Sequence, residues 1–349
     1  MPSILYLSHN DVIKCQAASL EMILGIIKHV FICHYNKDFI LPHKVVLRWG
    51  GLETENTLGR INSMPAFIGG DIRALGLKWI GSFPLNRQKG IPRATAIIIL
   101  NDTGTGLPIA IMEGAYISAM RTTAVNLLAA EYLCSCDSQT IAIIGTGIQN
   151  RFQLNGFLSK FSSLKKINIF NRTHGRVKPF IKLFRKFKRN IQVFNSVAET
   201  VKDADIVLTA TTTDEPLIKK ENLKNGVTYF HFSGNECEYE VVNEFDKIYV
   251  DDWDVILHRG NLTPAKMYHE GLLNDDRIIG NLGQILNRKI PFRQSNSENI
   301  MFCAMGMAIE DIAVASAIYR EAKEKNIGFQ LSLWDQLDPM LEENERDFL

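Results

Sequence analysis

The amino-acid sequence predicts an α/β protein: a doubly wound parallel sheet joined to an α+β part that precedes it. Three observations predict it. Short apolar runs recur through the second half, in TIAIIGTG (140–147), KINIFNR (166–172), IQVFNSV (191–197), ADIVLTAT (204–211), VTYFHFS (227–233) and KIYVDD (247–252). Such near-continuous runs, alternating with segments long enough for a helix or crossover, are what a parallel sheet buried on both faces requires. The first run ends on glycines and leads into Arg151–Lys160, which reads as a helix. The first third has a different texture, one helix followed by strands in series.

Taken in order, Ser8 can cap a helix from Asn10 to Tyr35, where Leu20, Ile23, Leu24, Ile27, Val30 and Phe31 recur by threes and fours. Extended runs follow at Lys44–Arg48, Arg60–Met64, Leu77–Ile80 and Thr95–Asn101, separated by turn residues such as Gly69–Gly70 and Gly104–Thr105–Gly106. A helix is predicted from Gly114 to Leu133 and another over 306–325. The expected organisation is a substrate-binding and dimerisation domain over 1–125, completed by the C-terminal helix (306–330). A nucleotide-binding domain spans 126–305, and 331–349 forms a polar tail ending in LEENERDFL, expected to fray.

Composition narrows the function classes. In 349 residues, 39 basic side chains face 38 acidic ones, so bulk charge favours neither nucleic acid nor an anionic membrane. A hydrophobic share of 46% is that of a globular chain and excludes disorder. Cys15, Cys33, Cys134, Cys136, Cys237 and Cys303 are too sparse for a disulfide scaffold and fit a reducing compartment. No histidine grouping has metal-ligand spacing, so no metal is expected. There is no signal-peptide pattern and no apolar run of spanning length, so the expected location is the cytoplasm. The Lys- and Arg-rich stretch RVKPFIKLFRKFKRN (176–190) reads as a solvated helix face, with Phe180, Leu183, Phe184 and Phe187 packing inward. Its rival is a nucleic-acid or lipid surface.

The glycine loop carries chemistry because of where it sits. Gly145, between strand and helix, permits the tight turn. Gly147 lets backbone approach a pyrophosphate at the helix N-terminus, where unpaired N–H groups favour anions. Thr146, Ile148 and Gln149 complete the candidate cofactor loop, and Asn150 replaces the usual third glycine or alanine. At the end of the next strand, where a carboxylate would hold the ribose of NAD, the chain reads Asn171-Arg172-Thr173. Arg172 can pair with a 2′-phosphate, and Asn171 and Thr173 can donate to it, so NADP is favoured over NAD as the cofactor.

The chain resembles the ornithine cyclodeaminase and μ-crystallin family from about residue 4 to about 330. The resemblance rests on INSMPAFIGG (61–70), GLKWIGSF (76–83), AIIILNDTGTGLPIAIMEGAYISAMRTTAV (96–125), the GTGIQN loop, VDDW (250–253) and MGMAIEDIA (305–313). GLKWIGS, VDDW and MGMAIEDI point to the branch that makes 2,3-diaminopropionate for siderophores. The resemblance implies a Rossmann domain, an amino- or imino-acid substrate, a homodimer, and hydride transfer between a nicotinamide and the carbon bearing nitrogen. It places Arg48, Lys78 and Arg121 around substrate carboxylates, with Met64 beside them. Fixed cations suit an amino-dicarboxylate on physical grounds too. Lys78 is also the residue best able to exchange protons.

The resemblance implies a catalytic aspartate after the strand that ends at 233, but HFSGNECEYE (231–240) has none. Glu236 is expected to shuttle protons in its place, with Asn235 and Glu238 as register alternatives, and His231 is either a second acid–base group or a residue that only orders the strand end. The expected reaction is oxidation of an N-substituted glutamate to an imine, which hydrolyses to 2-oxoglutarate and 2,3-diaminopropionate. Rival readings are ornithine cyclodeamination, alanine dehydrogenation, ketimine reduction, or a silent NADP-binding protein.

Overall fold

The computed structural model describes residues 2–50, 58–213 and 215–334. The expected frayed end over 341–349 lies outside the described residues. Along the chain come β1 (Ser3–Leu7), α1 (His9–Lys14), α2 (Leu20–Tyr35), β2 (Phe39–Ile40), β3 (Val45–Trp49), β4 (Gly59–Ile68), β5 (Ala74–Ser82), β6 (Ala94–Asn101), β7 (Pro108–Glu113) and α3 (Ala115–Leu133). There follow β8 (Thr140–Ile144), α4 (Ile148–Lys160), β9 (Lys166–Phe170), α5 (Val177–Phe184), β10 (Asn190–Val193), α6 (Val197–Val201), β11 (Ile206–Thr209), β12 (Thr228–His231) and α7 (Tyr239–Asn243). The remainder is β13 (Lys247–Val250), α8 (Trp253–Arg259), α9 (Thr263–His269), β14 (Ile278–Asn281), α10 (Leu282–Leu286), β15 (Ile300–Cys303), α11 (Ala308–Glu324) and β16 (Phe329–Ser332). Two compact units result: Met1–Arg121 with Ala308–Leu349, and Thr122–Met307.

In the first unit the sheet runs β16-β1-β7-β6-β5-β4-β2, with β3 also on β4. One face of its central strands is apolar and buried: Met64, Ala66, Gly76, Ile98 and Leu100. It lies under α11, whose Ile312 would meet a Cβ at Gly76 at 3.0 Å. Burying side chains of this size stabilises by roughly 1.5–3 kcal/mol each. The predicted helix over 10–35 is broken in two. Cys15 and Ser19 are extended, and Ser8 and Ser19 each cap a separate helix. Glu321 of α11 supplies the reason, because its carboxylate accepts the N–H groups of Gln16 (2.8 Å) and Ala17 (2.6 Å).

The second unit is a parallel sheet in the order β10-β9-β8-β11-β12-β15-β13-β14. Every residue of β8, β11, β12 and β15 is buried, as a sheet covered on both faces demands. The order reverses between β8 and β11, which opens a crevice at the carboxyl ends of these strands. Three expectations shift. The helix after the glycine loop begins at Ile148, three residues earlier, and IQVFNSV is strand only to Val193. In the basic stretch Val177, Phe180 and Phe184 are buried, but Leu183 is 49% exposed and joins the solvated face. Among the described residues, no helix is long and apolar enough to cross a membrane.

Candidate active site

The glycine loop lies at the carboxyl end of β8. Gly145 has φ +94°, and a Cβ there would come within 2.9 Å of the Ala210 carbonyl. Only glycine fits this turn without strain. Gly147 is the N-cap of α4 and makes no side-chain cap, so the first amides of the helix face outward from a backbone without a Cβ in the way. Ile148 is exposed, and Gln149 lies in the first turn. Asn150, the departure from the usual pattern, is fully buried and donates to the carbonyls of Ile144 (3.0 Å) and Gly145 (2.7 Å). It therefore locks the loop rather than opening it. The buried Thr146 hydroxyl has no hydrogen-bond partner among the described residues. A cradle with an orphaned hydroxyl at a helix N-terminus fits a dinucleotide phosphate.

Asn171 plays a part different from the expected one. Its Oδ1 accepts from Thr146 N (3.0 Å) and its Nδ2 donates to the Thr173 carbonyl (2.8 Å). The amide is thus committed to the loop. Arg172 and Thr173 remain exposed after β9.

In the first unit, β5 and α3 bring Lys78 and Arg121 together, and both are buried. Both cations meet carboxylates that the protein itself supplies. Lys78 Nζ lies 2.6 Å from Asp311 Oδ2 and 3.4 Å from Ser118 Oγ. Arg121 Nε lies 3.3 Å from Asp311 Oδ1, and its Nη1 lies 2.6 Å from Glu310 Oε2. Unpaired cations could not be buried this deeply, which is the physical reason for the partners. Burial pulls the Lys78 ammonium down to about 8 against the opposing pull of Asp311. Met64 is buried directly across from Lys78 in the β4–β5 register. Arg48 is exposed on β3, whose strand pairs only with β4, and the structure does not bring it to this cluster. Glu310 and Asp311, the partners of these cations, are residues that the sequence reading missed. The signal was present in MGMAIEDI, two adjacent acids opening an apolar helix.

Glu236 is also fully buried. Its Oε1 accepts from Thr211 N (2.7 Å) and Thr211 Oγ1 (2.6 Å), while Oε2 has no hydrogen-bond partner among the described residues. Burial raises its carboxyl above the ordinary range, against the hydrogen bonds from Thr209 and Thr211. Asn235 is partly exposed and accepts from Thr263 Oγ1 (3.2 Å). Glu238 is the N-cap of α7.

Beneath Glu236 runs a polar ladder. Thr263 N–H donates to His231 Nε2 (3.2 Å), which leaves the proton of the neutral ring on Nδ1. Nδ1 lies 3.1 Å from Tyr229 Oη, which lies 2.9 Å from Thr209 Oγ1. Burial holds His231 neutral, with its pKa down to about 3. His231 thus ties the end of β12 to Thr263 and Tyr229, in keeping with the strand-ordering alternative.

A parallel sheet with a glycine loop and helix N-terminus at its switch point defines a Rossmann-type α/β protein. The chain belongs to the ornithine cyclodeaminase/mu-crystallin family, whose profile matches residues 47–326. It is 33% identical over 333 residues to the N-((2S)-2-amino-2-carboxyethyl)-L-glutamate dehydrogenase of Staphylococcus aureus, covering 95% of this chain and 98% of that protein. It superposes on the Thermococcus litoralis Δ1-pyrroline-2-carboxylate reductase in complex with NADH and L-proline with a TM-score of 0.85. That pair is 29% identical and covers 94% of this chain and all (100%) of the other. An archaeal alanine dehydrogenase dimer with bound NAD gives the same TM-score, 0.85, at 26% identity, over 95% of this chain and 100% of that one.

Proposed function

We propose that the chain is an NAD(P)-dependent dehydrogenase that oxidises N-(2-amino-2-carboxyethyl)-L-glutamate at the α-carbon of its glutamate moiety. The carbon loses a hydride and the nitrogen a proton. Water adds to the imine, and the carbon–nitrogen bond breaks to give 2-oxoglutarate and 2,3-diaminopropionate. The observation that carries the reading is the end-to-end likeness to the Staphylococcus aureus dehydrogenase. The product would serve siderophore or peptide natural-product assembly.

In this reading Gly145, Thr146, Gly147, Ile148 and Gln149 hold the pyrophosphate of the cofactor. Bound there, the nicotinamide accepts the hydride. Arg172 and Thr173 meet a 2′-phosphate, which favours NADP, while Asn171 braces the loop. Lys78 and Arg121 keep N–H groups beyond those given to Glu310, Asp311 and Ser118, and these hold a substrate carboxylate. Arg48 takes the more distant carboxylate, and Met64 gives the apolar flank. Lys78 carries the proton of the substrate nitrogen, since its lowered pKa lets it exchange near neutrality. Glu236, enclosed beside Thr211, braces the segment after β11. Orientation and fixed charge supply most of the rate.

The test is nicotinamide reduction with this substrate, with 2-oxoglutarate and 2,3-diaminopropionate measured as products. Lys78→Ala should lower turnover by about 10²–10³ with cofactor affinity preserved. Turnover of alanine, ornithine or proline in preference, or near-normal turnover in Lys78→Ala, overturns the reading.

A further inference from the structure

Asp311 is a carboxylate of the first unit's buried cluster that touches both cations. It reaches Lys78 on β5 through one oxygen and Arg121 on α3 through the other. Lys78 is faced from α3 by Arg121 and Ser118 and from α11 by Asp311 and Glu310. Its cross-strand neighbours, Met64 and Ile98, are apolar. Asp311 and Glu310 lie in the first turn of α11, where the helix dipole favours the charged form of a carboxylate. All four charged residues are buried, and apolar side chains would fill the same space without the cost of desolvating them.

We propose that Asp311 is a positioning residue of the active site: it sets the spacing of Lys78 and Arg121, and its charge governs which protonation state Lys78 presents to substrate. This rests on the reading of Lys78 as the substrate-side proton carrier. The physics is a balance. Burial favours the neutral amine, and Arg121 pushes the same way. Asp311 pushes back through its charge and its hydrogen bond, with a smaller push from Glu310. The two sides meet close to neutral pH, so a small change at Asp311 changes the populated form of Lys78 where the enzyme works. A carboxylate that only held the fold would shift the Lys78 titration but leave the kcat/KM profile in place.

The test uses protein labelled with ¹³C at lysine Cε, the Lys78 resonance being the one absent from Lys78→Arg. In Asp311→Asn that resonance should titrate at least about one pH unit lower than in the wild type, a tenfold change in the ratio of neutral to charged Lys78 at fixed pH. Asp311→Glu should restore most of the shift. The limb of the kcat/KM profile that vanishes in Lys78→Arg should move down by the same amount. If Asp311→Asn does not fold, Glu310→Gln should lower the same titration by a smaller step. An unchanged Lys78 titration in Asp311→Asn, or in Glu310→Gln where only that variant folds, overturns the proposal. If the wild type turns over none of the amino acids tried, the proposed function falls while the resonance still decides what Asp311 does to Lys78.

Discussion

Glu236 keeps one carboxyl oxygen on Thr211, and Thr211 belongs to the segment that closes on Gly145, with its Cγ2 3.3 Å from where a Cβ would stand. Its influence therefore runs toward the cofactor loop. Glu236→Ala would leave the Thr211 amide and hydroxyl buried without an acceptor, at about 1–3 kcal/mol per group. Cofactor affinity should then fall by about tenfold or more. Glu236→Gln retains an oxygen acceptor and should stay within about threefold of wild type. Titration of nicotinamide fluorescence checks both variants. Loss of turnover in Glu236→Gln with intact affinity would return the proton to this carboxyl. The cations Lys78 and Arg121 were legible through the family resemblance of GLKWIGS and SAMRTTA. Their counter-ions were not, since Asp311 lies 233 and 190 positions away from them, and no local pattern reports a contact of that span.

At the scale of elements, periodicity read most of the parallel sheet, because a strand buried on both faces is apolar throughout. It missed β15, whose IMFC is short and follows a polar stretch, and it missed β1, β7, β14 and β16. Edge and half-exposed strands carry no distinct signal until their partners are known. The α1–α2 break was hidden likewise, because Glu321, which accepts the freed amides, is distant in sequence. The turn after β9 yields a prediction of its own. It carries Arg172 and no carboxylate over 171–173, so NADP(H) should bind more tightly than NAD(H). Arg172→Ala should cost NADP(H) roughly tenfold to a hundredfold and leave NAD(H) unchanged, as expected for a charge-assisted pair of about 1.5–3 kcal/mol. Equal binding of the two cofactors, insensitive to Arg172→Ala, would contradict it.

At the scale of the molecule, the sheet of the first unit has a second face. Val45, Ser63, Trp79 and Ile97 share one cross-strand row, and Pro65, Leu77, Ile99, Ile111, Tyr6 and Phe329 share the next. Trp79 is 40% exposed, Ile97 42% and Val45 68%. A continuous apolar band of this kind marks an association surface, and we propose a homodimer formed through it. Sedimentation at micromolar concentration should give a dimer, and Trp79→Glu should shift it to monomer with the fold retained. A monomeric wild type would remove the proposal. The two-part organisation was legible from the change in sequence texture, whereas the placement of α11 over the first sheet depends on packing that composition does not record.

The first unit is assembled from both ends of the chain, and this has a consequence for its birth on the ribosome. The second unit is one unbroken stretch, Thr122–Met307, and all of it leaves the exit tunnel before α11 does. Lys78 is synthesised 233 residues ahead of Asp311. At about 5–20 residues per second, that interval lasts roughly ten to fifty seconds. Until then the β-sheet of the first unit has no helix to cover it, and the cations Lys78 and Arg121 must remain hydrated. The nascent chain thus carries an unfinished amino-terminal half while its nucleotide fold is already out, and that half waits for α11, with its two acidic residues, and then for β16.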